Sequence, residues 1–219
     1  MFGSQNYNLS DESSDIDSRV LAFSTKPLNT IEAVLDNGEH MEVMDLYTFF
    51  ELLCNMDLQA IETLFTEYYI INPRYKGFWE ELRATRFECS RLNERLWGEQ
   101  LLARLEINRR RFLSQEGLTP GMEKTIGYTP KGVYHTVRQE EMARKYFQKE
   151  PYDKVLRSSN CEFLCQIKRG KFNEAEAKEL LEEYEQKARA LISNSSFAPI
   201  NTKSEYKVYK LFKELLERR

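Results

Sequence analysis

The stretch that decides the fold reads MFGSQNYNLSDESSDIDSRVLAF over residues 1–23. In it, Gly3-Ser4 is separated by a ten-residue spacer from Asp15-Ile16-Asp17, and an apolar run follows at residues 20–23. Alternate residues of a strand point to the same face, so we expect Asp15 and Asp17 to project side by side. Paired carboxylates suit one or two Mg²⁺ or Mn²⁺ ions, and a Gly-Ser turn lets backbone N–H groups approach a phosphate.

The composition is that of a folded, water-soluble protein. Of the 219 residues, 41% are apolar and 31% are charged, which excludes an intrinsically disordered chain. The formal net charge of −3 argues against a protein that bulk positive charge holds on nucleic acid, although a local basic groove remains open.

The cysteine and histidine content excludes a zinc-finger type of protein. The chain has four cysteines and two histidines, none in a Cys-x-x-Cys pair: Cys54, Cys89, Cys161, Cys165, His40 and His135. The sequence shows no export signal and no apolar run near the ~20 residues of a membrane span. We therefore expect a cytoplasmic protein with reduced thiols and no membrane contact.

Hydrophobic periodicity predicts an α+β fold with a small mixed or antiparallel sheet followed by a larger helical region. Strands are expected at 15–23, 30–35 and 39–45, with Asn37-Gly38 as a hairpin turn. Helices dominate from residue 45, and the later ones are expected at 93–114, 131–148, 161–169, 174–192 and 204–218. We divide the chain accordingly into residues 1–45, with the sheet and the phosphate loop, and a helical region, 46–219. The last helix is expected to bury Tyr206, Tyr209, Leu211, Phe212 and Leu215.

A second group of polar residues falls on the helix predicted at 131–148. Lys131, Tyr134, His135 and Arg138 have the spacing i, i+3, i+4, i+7, which places them on one helical face. The cations can clamp phosphates, and Tyr134 can donate a hydrogen bond or stack on a base. A buried polar face that links two subdomains is the alternative interpretation.

Both groups of residues resemble parts of one known family. The Gly-Ser, spacer and Asp-x-Asp pattern resembles the nucleotidyltransferase superfamily related to DNA polymerase beta. The Lys-x-x-Tyr-His-x-x-Arg stripe is similar to a segment of its RlaP-type branch in bacteria and phages. Residues 46–65, 167–170 and 194–199 also look like segments of that branch, so the resemblance covers nearly the whole chain.

The resemblance implies an enzyme that transfers a nucleoside monophosphate from an NTP, such as ATP, to an acceptor hydroxyl and releases pyrophosphate. Asp15 and Asp17 would then bind two Mg²⁺ (or Mn²⁺) ions. The family places a third carboxylate on a later strand, and Met41-Glu42-Val43 fits that pattern, so Glu42 is expected to be a metal ligand and catalytic residue. An alignment by eye puts His40 at that position instead, and Asp45 is a weaker rival because it looks like a helix N-cap.

The same resemblance assigns the nucleotide-binding residues. Gly3, Ser4 and Ser14 are expected to hold the phosphates, while Lys131, Tyr134, His135 and Arg138 would clamp the triphosphate or the acceptor. The acceptor itself is left open between RNA, a protein side chain and a small molecule, and nothing indicates an oligomeric state.

Two alternatives remain from the sequence. Family members usually carry a helix and a strand before Gly-Ser, whereas only Met1 and Phe2 precede it here, so the protein could be a catalytically weak or inactive nucleotide- or partner-binding relative. An RNA-directed role would use a basic face formed by Arg83, Arg86, Arg91, Arg95, Arg104 and residues 109–111. For residues 109–111, interaction with the helix C-terminus is the competing interpretation.

Overall fold

A three-stranded mixed sheet begins the ordered part of the chain. The computed structural model describes Tyr7 and residues 17–23, 30–36, 38–114 and 127–217. Strands β1 (Asp17–Ala22), β2 (Ile31–Val34) and β3 (His40–Asp45) lie in the order β1-β3-β2. β1 runs parallel to β3, and β2 pairs with β3 in antiparallel fashion. Gly38 adopts a φ of +81° in the β2–β3 turn, which L side chains rarely adopt, so a glycine is suited to this position.

Helices follow the sheet for the rest of the chain, which confirms the α+β class. They are α1 (Leu46–Cys54), α2 (Leu58–Phe65), α3 (Lys76–Ala84), α4 (Arg86–Cys89), α5 (Glu94–Ser114), α6 (Pro130–Phe147), α7 (Tyr152–Leu156), α8 (Cys161–Lys168), α9 (Glu174–Ser193) and α10 (Thr202–Glu217). A short 3-10 turn, Pro73–Tyr75, precedes α3. None of these described helices is long and apolar enough to cross a membrane.

Side-chain caps fix where several helices begin. Asp45 accepts hydrogen bonds from the backbone N–H groups of Tyr47 and Thr48 at 2.7 and 2.9 Å, so it is the N-cap of α1, as its position predicted. Asn173 and Glu176 form a reciprocal capping box at the start of α9. These caps satisfy N–H groups that have no partner within the helix.

The chain divides into two compact units, residues 1–97 with 197–219, and residues 98–196. The division at residue 45 suggested by the sequence marks the end of the sheet, and it falls inside the first unit. The first unit contains the sheet, α1 to α4, the start of α5, and α10. The second contains the rest of α5 and α6 to α9.

The core of the first unit is built from one apolar face of each helix. Phe49, Leu53 and Leu64 are fully buried, and the ring of Phe212 lies 4.8 Å from that of Phe50. Leu211 and Phe212 of α10 are buried as predicted, whereas Tyr206 and Tyr209 are 67% and 49% exposed, so their predicted burial is wrong. The side chain of Leu215 lies outside the described residues.

In the second unit, α5 and α6 approach each other closely at Gly132. A Cβ atom placed on Gly132 would lie 2.6 Å from the carbonyl oxygen of Asn108 and 3.2 Å from the backbone nitrogen of Phe112. Farther along, the Asn108 side chain donates a 2.8 Å hydrogen bond to Gln139. Since only a glycine allows such an approach, Gly132 sets the spacing of the two helices.

Candidate functional site

The first candidate site is one face of the sheet, here called the acidic sheet face, with Asp17, Arg19, His40 and Glu42. In the parallel ladder Asp17 lies opposite His40, and Arg19 lies opposite Glu42. Residues two apart on a strand share a face, so all four side chains project to the same side. The structure therefore brings Asp17 and Glu42 to adjacent strands of one face.

Glu42 is held by an arginine of the neighbouring strand. Its Oε2 accepts hydrogen bonds from Nε and Nη2 of Arg19 at 2.7 and 2.5 Å. Nη1 of Arg19 donates to Oγ1 of Thr63 on α2 at 2.9 Å, and the Arg19 side chain is only 3% exposed. The charge of Glu42 is thus balanced by a buried guanidinium, and this face of the sheet is turned toward α2.

A second contact ties the N-terminal stretch to the same helix. The hydroxyl of Tyr7 donates a hydrogen bond to the carboxylate of Glu62 on α2. Tyr7 is 8% exposed and Glu62 is 2% exposed. In sequence, Tyr7 lies between Gly3-Ser4 and Asp15, so this contact anchors the segment that carries both motifs.

The described part of the acidic sheet face does not form a metal centre by itself. Within the described residues there is no group of three or more His, Cys, Asp or Glu side chains placed to hold a metal ion. Asp15, Gly3, Ser4 and Ser14 lie outside the described residues, and their predicted roles stay predictions. The carboxylates of Asp17 and Glu42 are the donor type that Mg²⁺ takes, although one Glu42 oxygen already serves Arg19.

The second candidate site lies on α6 in the unit of residues 98–196. It holds the predicted stripe: Lys131 is exposed, His135 is half-buried, and Tyr134 and Arg138 are 8% and 6% exposed. The rings of Tyr134 and His135 meet edge to face with centroids 4.9 Å apart. The stripe is therefore present, but half of it is buried rather than solvated.

Helix α5 adds two arginines to this stripe. Burial, followed by the charges of Arg138, Lys131, Arg111 and Arg104, holds the pKa of His135 well below its ordinary value. His135 is thus a neutral imidazole among four cations, and we call Arg104, Arg111, Lys131 and Arg138 the cation cluster. Sequence reasoning treated Arg104 and Arg111 only as parts of a general basic face or a helix end, although their spacing of seven residues places them on one side of α5.

Not every arginine of α5 belongs to the cation cluster. Arg109 lies 3.6 Å from the buried carboxylate of Glu185, which also binds Arg189 at 2.8 Å. Arg189 in turn lies 3.4 Å from Glu106. Arg109 is therefore part of an ion-pair network that links α5 to α9, and this is a structural role.

Comparison with known proteins finds no matching family model, no matching curated protein and no matching solved structure. The class of protein is accordingly argued from the two sites themselves.

Proposed function

We propose that the protein is a metal-dependent nucleotidyltransferase, which moves a nucleoside monophosphate from an NTP to an acceptor hydroxyl and releases pyrophosphate. The observation that supports this most is the parallel pairing of β1 with β3. It puts Asp17, from the Asp-x-Asp motif, and Glu42, from Met41-Glu42-Val43, on one face of adjacent strands. A third carboxylate on a neighbouring strand is what the resemblance requires.

In this proposal each carboxylate has a defined task. Asp15 and Asp17 would hold Mg²⁺, with Glu42 as a further ligand or as the base that takes the proton of the acceptor hydroxyl. Bound Mg²⁺ would neutralise charge on the phosphates, which is the main requirement of phosphoryl transfer. Tyr7 would hold the Gly3-Ser4 segment against α2 through Glu62.

A second candidate function, nucleotide binding without turnover, is favoured by the Arg19–Glu42 ion pair. A carboxylate that accepts two hydrogen bonds from a buried guanidinium is a weaker metal ligand and a weaker base than an unpaired one. A protein with this arrangement could bind an NTP and yet fail to transfer the nucleotide.

The test uses NTPs labelled at the α-phosphate, with Mg²⁺ and three acceptor pools: total RNA, denatured protein and a small-molecule extract. We expect label transfer to one pool, with matching pyrophosphate release, in the wild type. Asp15→Asn and Asp17→Asn should each lower the rate at least about 100-fold, since paired metal ligands act as a unit.

Asp36→Asn is the matched control, because Asp36 is an exposed carboxylate beyond the end of β2. It should transfer label at the wild-type rate. Wild-type turnover in Asp17→Asn would refute the metal assignment. Tight NTP binding without any pyrophosphate release, in every pool, would favour the second candidate.

A further inference from the structure

The cation cluster is formed by two helices that are locked together. Gly132 lets α6 contact the backbone of α5 at Asn108 and Phe112, so the first turn of α6 lies beside the last turns of α5. Arg111 and Lys131 each directly precede a residue of that contact in sequence. Farther along the pair, the hydrogen bond between Asn108 and Gln139 keeps the helices in register.

Acidic residues of these two helices are engaged in other contacts. Glu106 pairs with Arg189, Glu141 pairs with Lys145 at 2.9 Å, and Glu140 interacts with Arg144 and Lys187. Four positive charges on a chain with a net charge of −3 are therefore concentrated at one place. Burial of cationic side chains close to one another is unfavourable, and an anionic ligand is a common reason for such an arrangement.

We propose that Arg104, Arg111, Lys131 and Arg138 form a binding site for the phosphates of a nucleoside triphosphate. The proposal takes its ligand from the proposed function, but it needs neither the metal ions nor the acidic sheet face. A triphosphate carries about four negative charges and many acceptor oxygens, which the planar forks of arginine bind in pairs. Tyr134 and neutral His135 offer further hydrogen-bonding groups beside the four cations.

The test measures binding by calorimetry on the full-length protein, in EDTA and at low ionic strength. The probes are ATP, inorganic tripolyphosphate and adenosine. We expect ATP and tripolyphosphate to bind and adenosine not to bind. Arg111→Gln and Lys131→Gln remove the two exposed cations, and each should weaken both anions about tenfold, the factor that 1.4 kcal/mol represents for one charge-assisted hydrogen bond.

Two matched controls carry the same charge change outside the cluster. Arg110→Gln replaces an exposed arginine next to Arg111 on another side of α5, and Lys178→Gln replaces an exposed lysine of α9. Both should bind tripolyphosphate as the wild type does. If the controls lose as much affinity as the cluster variants, the binding reflects net charge only and the proposal is wrong.

A second readout does not depend on affinity alone. The chain has two histidines, so an His40→Gln variant leaves His135 as the single imidazole in an NMR spectrum. Adding tripolyphosphate at constant pH should shift the His135 resonance in this variant and should not do so after Arg111→Gln and Lys131→Gln are combined. An unchanged resonance at saturating tripolyphosphate would overturn the proposal.

Two further outcomes distinguish a triphosphate site from a nucleic-acid site and from the transferase function. Binding of a single-stranded RNA oligonucleotide with no binding of ATP or tripolyphosphate would assign the cluster to a nucleic acid and contradict the proposal. Metal-free tripolyphosphate binding that persists in Asp17→Asn, in a protein that transfers no label, would support the cluster while the transferase function fails.

Discussion

Replacing Gly132 with alanine tests the geometry on which the cation cluster depends. The new Cβ would lie 2.6 Å from the carbonyl oxygen of Asn108 and 3.3 Å from Cβ of Phe112, and the first of these distances is too short for any real contact. The helices must separate, and overpacking of this kind costs about 1–3 kcal/mol. Alanine returns up to about 1 kcal/mol through its better helix propensity. We expect a net loss of about 1–2 kcal/mol in the free energy of unfolding.

Gly77→Ala is the matched control, because Gly77 also lies in a helix but has nothing within 4 Å of an added Cβ. It should leave stability unchanged or raise it by up to about 1 kcal/mol. Urea denaturation followed by circular dichroism gives both values, and the thermal midpoint of Gly132→Ala should fall by about 2–8 °C. Because separated helices also move Arg111 away from Lys131, tripolyphosphate affinity should fall in the same variant. Equal stability of the two variants would refute the close α5–α6 contact.

Three further outcomes follow from other contacts. Asn173→Ala removes the capping box of α9 and should lower the free energy of unfolding by about 1 kcal/mol, measured by urea denaturation. Burial raises the pKa of Glu141, but hydrogen bonds from Lys145, Ser158 and Ser159 outweigh it and hold the pKa below its ordinary 4.5, so the stability deficit of Glu141→Gln should be greatest above that pH and shrink as pH falls through the lowered pKa. Burial raises the pKa values of Cys54 and Cys89 to about 11, so both thiols should react with iodoacetamide far more slowly at pH 8 than at pH 11, as peptide mass spectrometry would show.

The order and type of the main elements could be predicted from the sequence because local chemistry determines them. Asp45 and Asn173 are good N-caps wherever they occur, and a glycine after an apolar periodic run, such as Gly170 with a φ of +65°, ends a helix. The predicted bounds of α5, α6, α8, α9 and α10 accordingly lie within two residues of those observed. These features depend on neighbours in the sequence and not on the packing of distant segments.

Burial on the last helix could not be predicted in the same way. Tyr206, Tyr209 and Phe212 all have helical spacing, yet only Phe212 enters the core, where it meets Phe50 and Phe78. Periodicity shows that a helix is amphipathic, but the width of its buried stripe depends on how many helices pack against it. A tyrosine at the border of that stripe can keep its polar hydroxyl in water.

The same limit applies to the cation cluster. Lys131, His135 and Arg138 could be found from the sequence because one helix carries all three. Arg104 and Arg111 could not be joined to them, since that step requires the antiparallel contact of α5 with α6 at Gly132. An isolated glycine inside a helical pattern was the available clue, because it costs about 1 kcal/mol relative to alanine unless packing requires it.

The Arg19–Glu42 ion pair decides how far the transferase proposal can be taken from the sheet alone. The two residues are 23 positions apart, and only the parallel register of β1 with β3 places them opposite each other. A buried arginine loses much of its hydration and is stabilised by a carboxylate partner, so Arg19 and Glu42 each make the other tolerable in this environment. Metal binding at Glu42 would therefore have to compete with Arg19, whereas Asp17 lies opposite His40 in the ladder and not opposite an arginine. Asp17 is for this reason the described residue on which the transferase proposal depends most, and Glu42 is the one on which the nucleotide-binding alternative depends.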